Sequence, residues 1–430
     1  MQNTSSDHLT RHLRVLTQDI GVRLAGTPGE RAAIDYVAAE FARSGAQVTV
    51  ERFPVRARAV TALKLELRLG DRWVEFPGSL FSSTPGTDGR TLEGPLVFFE
   101  APAEMQRTDL SHLRGKAVVH LGCHIESRAT YRRLIEAAPA FMLFVDVRYP
   151  GTTPLADGMF PAYTKAIGAV PTVNVAFMDA WRWLVEGATA ARLSVTGGMV
   201  PGESGNVIAD LPGTEGSDEV LYVGGHLDTQ ADSPGADDDG TGTVGVLELA
   251  RVLAPLPRRR TVRLIAFGAE EQLSVGSAEY VRRHRADVAA HGRFMFNLDS
   301  YGSRMGWTEL NVNGPPRLAP ALQRAFVTRD LYVKLGGEVC PYTDQFPFAV
   351  AGVPGCWLYR PNCAGGRFYH HRPDDDLSKV STPLMARLLD VVAGLTADWA
   401  ARKALPWRGG LPAKQAAAAQ RFWADLYGGW

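Results

Sequence analysis

Three apolar runs, at 220–225, 260–267 and 294–298, each break off beside acidic or imidazole side chains, and helical patterns lie between them. That alternation constrains the fold more than any other feature of the chain. Strand, helix, strand, helix, strand is the order of an open α/β sheet, mostly parallel and flanked by helices, with its site at the carboxyl edge of the strands. The helical patterns are Val244, Leu247, Leu249, Val252 and Leu253 after the first run, and 276–288 after the second.

The first run ends on two glycines and His226, with Asp228 two residues on. In extended chain these side chains share a side, so Asp228 is placed to accept the second ring N–H of His226 and fix its tautomer. Asp237, Asp238 and Asp239 follow, just ahead of Gly240 and the first helical pattern. Acids at that position serve as N-caps; three of them beside a strand-end histidine also suit half of a metal site. The second run leads into Glu270 and Glu271, and the third into Asp299. A polar loop, Tyr369-His370-His371-Arg372-Pro373-Asp374-Asp375-Asp376, adds two imidazoles before another helix start near Val380.

These motifs resemble, in order and spacing, metallopeptidase family 28, the cocatalytic zinc exopeptidases: His226-x-Asp228, GADDDG around Asp238, FGAEE with Glu270 and Glu271, NLDSYG with Asp299, and YHHRPDD with His371. Supporting pieces are GVRLAGTPGERAAIDYVAAEF near the N-terminus, NVIADLPG from Asn206, and the segment from Thr343 to Phe348 before Gly352-Val353-Pro354. The likeness covers about residues 10–55 and 203–400. It implies two zinc ions per chain, replaceable by cobalt or manganese, with Asp238 bridging them. His226 and Asp299 then complete one site and Glu271 and His371 the other, so each ion keeps an open position, as catalytic zinc does. Glu270 is implied as the general base acting on a water shared by the ions. Some family members carry Tyr immediately before the last histidine ligand, where it donates to the developing oxyanion. His370 stands there in this chain, and both an oxyanion-donor and a bystander role remain open. Asp237 occupies a position where the family often has Asn, which adds charge and removes no ligand.

At 430 residues the chain is expected to hold two domains. The 46 basic and 46 acidic residues balance, which points away from nucleic acid and anionic membranes as partners. The N-terminus lacks an apolar signal core and no run reaches ~20 apolar residues, so a cytoplasmic protein is expected. Cys123, Cys340, Cys356 and Cys363 are too few and scattered for a disulfide scaffold; reduced, mostly buried thiols are expected, with a Cys356–Cys363 bridge conceivable in an exported protein.

Residues 56–200 carry no strand-end acids and read as β-rich, with runs at 63–69, 96–99, 117–121, 141–145 and 170–175. Arg114-Gly115-Lys116-Ala117-Val118-Val119, a helix near 129–138 and Val170-Pro171-Thr172-Val173 resemble the protease-associated domain often inserted in this family. The expected division is a discontinuous catalytic domain, 1–55 and 201–430, interrupted by an inserted domain, 56–200, that flanks the cleft and limits substrate length. The stretch 197–205 reads as the return linker. Trp181 and Trp183 are expected to pack a core, and His120 and His124 beside Cys123 to be structural. Arg258-Arg259-Arg260 reads as a solvated edge, and 403–430 as an appendage ending in a helix at 414–426 whose apolar stripe docks on its own domain or on a second subunit.

The function so implied is a dinuclear zinc exopeptidase acting on peptides, an aminopeptidase first. A dipeptidase or carboxypeptidase is the alternative, with Arg360, Arg367 or Arg372 as anchor for a terminal carboxylate. Two further classes are a glutaminyl cyclase, which uses one zinc, and a receptor-like homologue that has lost its ligands. The full set of five ligands together with Glu270 argues against both.

Overall fold

The computed structural model describes residues 3–101, 103–123, 125, 127–149, 151–214, 216–361 and 368–430. At its centre four strands run parallel: Thr261–Phe267, Val220–His226, Gly292–Leu298 and Gly355–Tyr359. They read as near-continuous apolar segments because helices cover both faces. On one side the antiparallel strand Thr308–Asn313 follows, then Val333–Gly336; on the other lies the antiparallel strand Ala190–Leu211. Most ladders of this sheet are parallel, as expected, and the strands that flank the parallel centre run antiparallel to it. The flanking strands were not distinguished in the sequence, because strand direction depends on pairing partners and leaves no mark in apolar periodicity.

Helices Ser6–Arg14, Pro28–Arg43, Thr241–Leu253 and Thr382–Ala401 pack one face of this sheet around Leu13, Phe41, Val223, Leu249, Phe296 and Leu388, all at most 2% exposed. Local chemistry starts these helices: the Ser5 hydroxyl accepts from the His8 amide, and proline stands in the first turn of both the second and the fourth. The expected helix over 276–288 is two, Val275–Arg283 and Arg285–His291, broken at His284, whose φ of −108° leaves the helical range.

Two long antiparallel strands, Gln47–Leu69 and Ala190–Leu211, run from this sheet into a second one. Residue 56 lies mid-strand in the first and residue 200 mid-strand in the second. The expected linker 197–205 is thus paired strand: Gly197 lies opposite Val60 and Gly205 opposite Arg52. Its glycines serve a bulge rather than a flexible tether, with Gly197 at φ 88° where the register shifts between Val60 and Ala62. The second sheet has the order Leu92–Glu100, Ala117–Gly122, Phe141–Asp146, Thr172–Asn174, Ser79–Leu80, parallel except for the last pair. Helices Arg128–Glu136, Pro161–Ile167 and Phe177–Val185 accompany it, so the region is α/β rather than simply β-rich.

Several smaller expectations change in three dimensions. Trp183 is fully buried against Phe76, but Trp181, two residues earlier and on the opposite face of the helix, is 55% exposed. Arg260 is buried, not a solvated edge; it pairs with Glu219 at 2.6 Å and donates to the Trp399 and Arg402 carbonyls. His120 is buried and stacks on Phe144, while His124 lies outside the described residues. Cys356 is buried in the strand Gly355–Tyr359, and Cys363 also lies outside the described residues. The C-terminal helix Ala413–Leu426 docks on its own chain, with Trp423 and Leu426 buried. Among the described residues, no helix is long and apolar enough to cross a membrane.

Candidate active site

The carboxyl ends of the four parallel strands converge on one cleft. The Val220–His226 strand delivers His226, the Thr261–Phe267 strand the turn with Glu270 and Glu271, and the Gly292–Leu298 strand Asp299. His226, Asp238, Glu270, Glu271, Asp299, His370 and His371 all line the cleft. Backbone strain accumulates here: Ala269, Leu273, Ser274, Ser300 and His371 hold φ between 52° and 70° without being glycine. Such residues cost on the order of 1–3 kcal/mol each and persist where surrounding structure dictates the geometry.

The three consecutive aspartates have separate tasks. Asp239 accepts from the His226, Gly242 and Ser300 amides, so it caps the Thr241–Leu253 helix and ties two strand ends to it. A Cβ at Gly242 would collide with this carboxylate, so glycine is required there. Asp237 accepts from the Gly302 amide. Asp238 alone turns to the imidazoles, with Oδ1 3.1 Å from His226 Nε2 and Oδ2 2.7 Å from His370 Nε2 and 3.3 Å from His371 Nε2.

Two groups have the spacing of metal ligands, His226 with Asp238 and Asp299, and Asp238 with His370 and His371. Asp238 belongs to both. Glu271 Oε2 lies 3.0 Å from His371 Nε2 and accepts from Gln230, which holds it beside the second group. His370, for which both an oxyanion-donor and a bystander role were open, sits within reach of the Asp238 carboxylate as well. The Asp228 carboxylate accepts from the Glu270 and Glu271 amides at 2.9 and 3.1 Å. His226 Nδ1 lies 3.2 Å from the Asp228 carbonyl oxygen and 3.6 Å from its carboxylate. Asp228 thus orients the glutamate turn more directly than the imidazole. Glu270 accepts from the Ser274 hydroxyl at Oε1, and its Oε2 lies 3.8 Å from His226 Nε2.

Electrostatics suit a cation. Burial pushes the Asp237, Asp239 and Glu270 carboxyls well above the usual carboxylate range, with neighbouring acids adding to it, and lifts Glu271 and Asp344 to about 7. For Asp238 burial pulls the same way, but His370, His226 and His371 override it and hold the carboxyl well below that range. His226 is held well above the ordinary imidazole value, against burial, by Asp228 and Asp238. So many carboxylates buried together are costly unless cations compensate them. An all-nitrogen and oxygen donor set with neighbouring acids fits divalent zinc.

Other positions were not visible in the sequence. Asp375, read there as part of a helix start, accepts from the Asp237 and Asp238 amides at 2.9 and 3.0 Å, and only Asp376 caps the following turn. Gln230, Tyr149 and Arg148 line the cleft without any motif around them. Of the three loop arginines, Arg360 is spent on Ser303, Gly306 and Thr308 oxygens, Arg372 lies 3.5 Å from Asp374, and Arg367 falls outside the described residues.

Residues 206–396 match the model of Peptidase family M28. The match supports an M28 metallopeptidase. The chain is 26% identical over 397 residues to Aminopeptidase YwaD of Bacillus subtilis (strain 168), covering 90% of this chain and 83% of that one. It is 27% identical over 419 residues to Carboxypeptidase Q of Homo sapiens, covering 92% and 86%. The fold superposes on BSAP, a zinc aminopeptidase from Bacillus subtilis, with a TM-score of 0.77 at 20% identity, covering 94% and 97%. The family match and the aminopeptidase relative point to a metallopeptidase, a hydrolase, while BSAP shows the shared fold; the M28 match spans every implied ligand from His226 to His371.

Proposed function

We propose that this metallopeptidase is a dinuclear zinc aminopeptidase that removes N-terminal residues from peptides. The observation that carries the proposal is the sharing of Asp238 by two ligand groups, beside Glu270, in one cleft. His226 and Asp299 would hold one ion with Asp238, and Glu271 and His371 would hold the other. When bound, zinc supplies Lewis acidity to the scissile carbonyl and acidifies the attacking water. Glu270 takes the proton from that water on a carboxylate oxygen and hands it to the leaving amine. Asp228 keeps the Glu270–Glu271 turn in place through its two amide contacts. His370 holds the shared Asp238 carboxylate through Nε2, 2.7 Å from Oδ2.

The carboxylate-rich floor favours a cationic terminal amine over a terminal carboxylate. A carboxypeptidase is the second reading, favoured by Arg148 at the cleft wall; that guanidinium is already bonded to the Asp146 carboxylate. We take residues 56–200 as an inserted module of the protease-associated type, with 1–55 and 201–430 as the catalytic domain. The module lends the cleft an apolar wall of Phe81, Ile125, Phe144, Met159 and Phe160.

The test is hydrolysis of free, N-acetylated and C-amidated peptides by protein with quantified zinc. Cleavage abolished by acetylation and kept on amidation is expected. The reverse pattern makes the enzyme a carboxypeptidase, and no cleavage of any peptide with two zinc ions bound removes the peptidase reading for these substrates.

A further inference from the structure

Tyr149 lies in the turn after the strand Phe141–Asp146 of the second sheet, far from every site motif in sequence, yet its hydroxyl lies 2.7 Å from His370 Nδ1. The other ring nitrogen, Nε2, lies 2.7 Å from Asp238 Oδ2. A carboxylate only accepts, so Nε2 carries a hydrogen toward Asp238, and Nδ1 on the opposite edge of the ring is bonded to the tyrosine hydroxyl. We infer that Tyr149 is a positioning residue: its hydroxyl holds the His370 ring so that Nε2–H stays on the shared Asp238 carboxylate. The inference rests on the peptidase reading above for the use made of His370.

The delivery of Tyr149 is itself built. The strand Phe141–Asp146 ends in a tight turn in which the buried Asp146 carboxylate accepts from the Arg148 amide at 2.9 Å, and its carbonyl from the Tyr149 amide at 3.1 Å. Tyr149 is 5% exposed, so its phenol has little freedom to leave. Two residues on, Gly151 presses on the Arg372 guanidinium so closely that a side chain there would collide with it. The turn therefore packs against both His370 and the residue after His371. On the far side the His370 ring stacks on His371 at 3.7 Å between centroids, with 25° between planes. Stacking fixes the plane of the ring, and the phenol fixes its rotation within that plane. Through this contact the second sheet takes part in the chemistry beyond forming a wall.

Tyr149→Phe removes the hydroxyl and keeps the ring. With a leucyl peptide substrate the variant is expected to lose about tenfold in kcat at unchanged KM, the low end for an outer partner of a functional imidazole, with two zinc ions retained. In a His370→Ala background the same change is expected to cost nothing further, because its effect passes through the imidazole. A loss in the double variant that multiplies the single losses overturns the assignment, as does an unchanged kcat in Tyr149→Phe. A second readout needs no turnover: nitrogen NMR of zinc-loaded, histidine-labelled protein, with the His370 signals identified by their loss in His370→Ala. The His370 ring-nitrogen signals are expected to shift in Tyr149→Phe as the contact to Nδ1 is lost; the same spectrum in both overturns the inference. A zinc-loaded parent that cleaves no peptide would sink the peptidase reading, and the NMR comparison would still decide the role of Tyr149.

Discussion

Adjacent residues of identical chemistry diverge here because their partners differ. Asp239 caps a helix and Asp237 holds a loop amide, while Asp238 meets three imidazoles. Glu270 and Glu271 divide likewise: Glu271 is beside His371, and Glu270 keeps an oxygen for substrate. Glu270→Gln is expected to lower kcat by about 10²–10⁴-fold, the usual worth of a general base, with zinc content by elemental analysis unchanged. A variant equally inactive but depleted of zinc would make Glu270 a ligand instead. Behind this turn, Glu30 is buried and accepts from the Gly26 amide, and its other oxygen lies 2.5 Å from the Ser204 hydroxyl. Burial, with Asp228 adding, raises its carboxyl from 4.5 to about 8. Between those values the unfolded chain gives up a proton that the folded one keeps, so folding stability falls as pH rises through that window. Glu30→Gln carries no such proton and keeps both contacts. Thermal unfolding at pH 5 and pH 8.5 is expected to show a smaller drop in Tm for the variant than for the parent; an equal drop would place the pH dependence elsewhere.

At the scale of elements, strand ends set where ligands stand, and the turns beyond them set where they point. The positive φ values of Ala269, Leu273 and Ser274 bend the chain sharply enough for Glu270 to face the cleft while its amide stays on Asp228. The C-terminal helix is a second such device. Trp423 packs on Phe346 of the Gln345–Val350 helix, and Asp425 accepts from Arg128 and Tyr163 on the helices that accompany the second sheet. The helix therefore clamps the two sheets together, which answers whether its apolar stripe docks internally. Trp423→Ala is expected to cost about 3–5 kcal/mol in chemical denaturation, the range for emptying a buried aromatic site. A loss under about 1 kcal/mol would show the helix to be dispensable for the fold.

For the whole molecule, function depends on two sheets meeting over one cleft. The catalytic sheet contributes a floor of carboxylates and imidazoles, the second sheet an apolar wall. A peptide beginning with Leu or Phe is expected to be cleaved with kcat/KM roughly 10–200-fold above one beginning with Asp, since apolar burial is lost and the acid is repelled. Equal values across these substrates would mean that the wall does not contact the first side chain. The likeness to both Aminopeptidase YwaD and Carboxypeptidase Q makes terminal polarity the property to measure before any other.

Much of this was legible in the sequence, and the reason is local. A parallel strand must end where its apolar run ends, so His226, Glu270, Glu271 and Asp299 could be placed at one edge from periodicity alone, and the motif order supplied Asp238 and His371. Short-range chemistry also told the helix starts. What required tertiary structure was everything set by partners remote in sequence. The choice of Asp238 over its neighbours depends on His370 and His371, more than 130 residues on. The mixed sheet arises from pairing, and 197–205 is strand because 52–60 lies opposite it. Arg260 is buried because carbonyls of the Thr382–Ala401 helix and the residues after it receive it. Tyr149 reaches His370 because the second sheet folds back over the first. Periodicity reports what a residue's own segment needs; contacts across 200 residues leave no trace in it, and only the folded chain decides them.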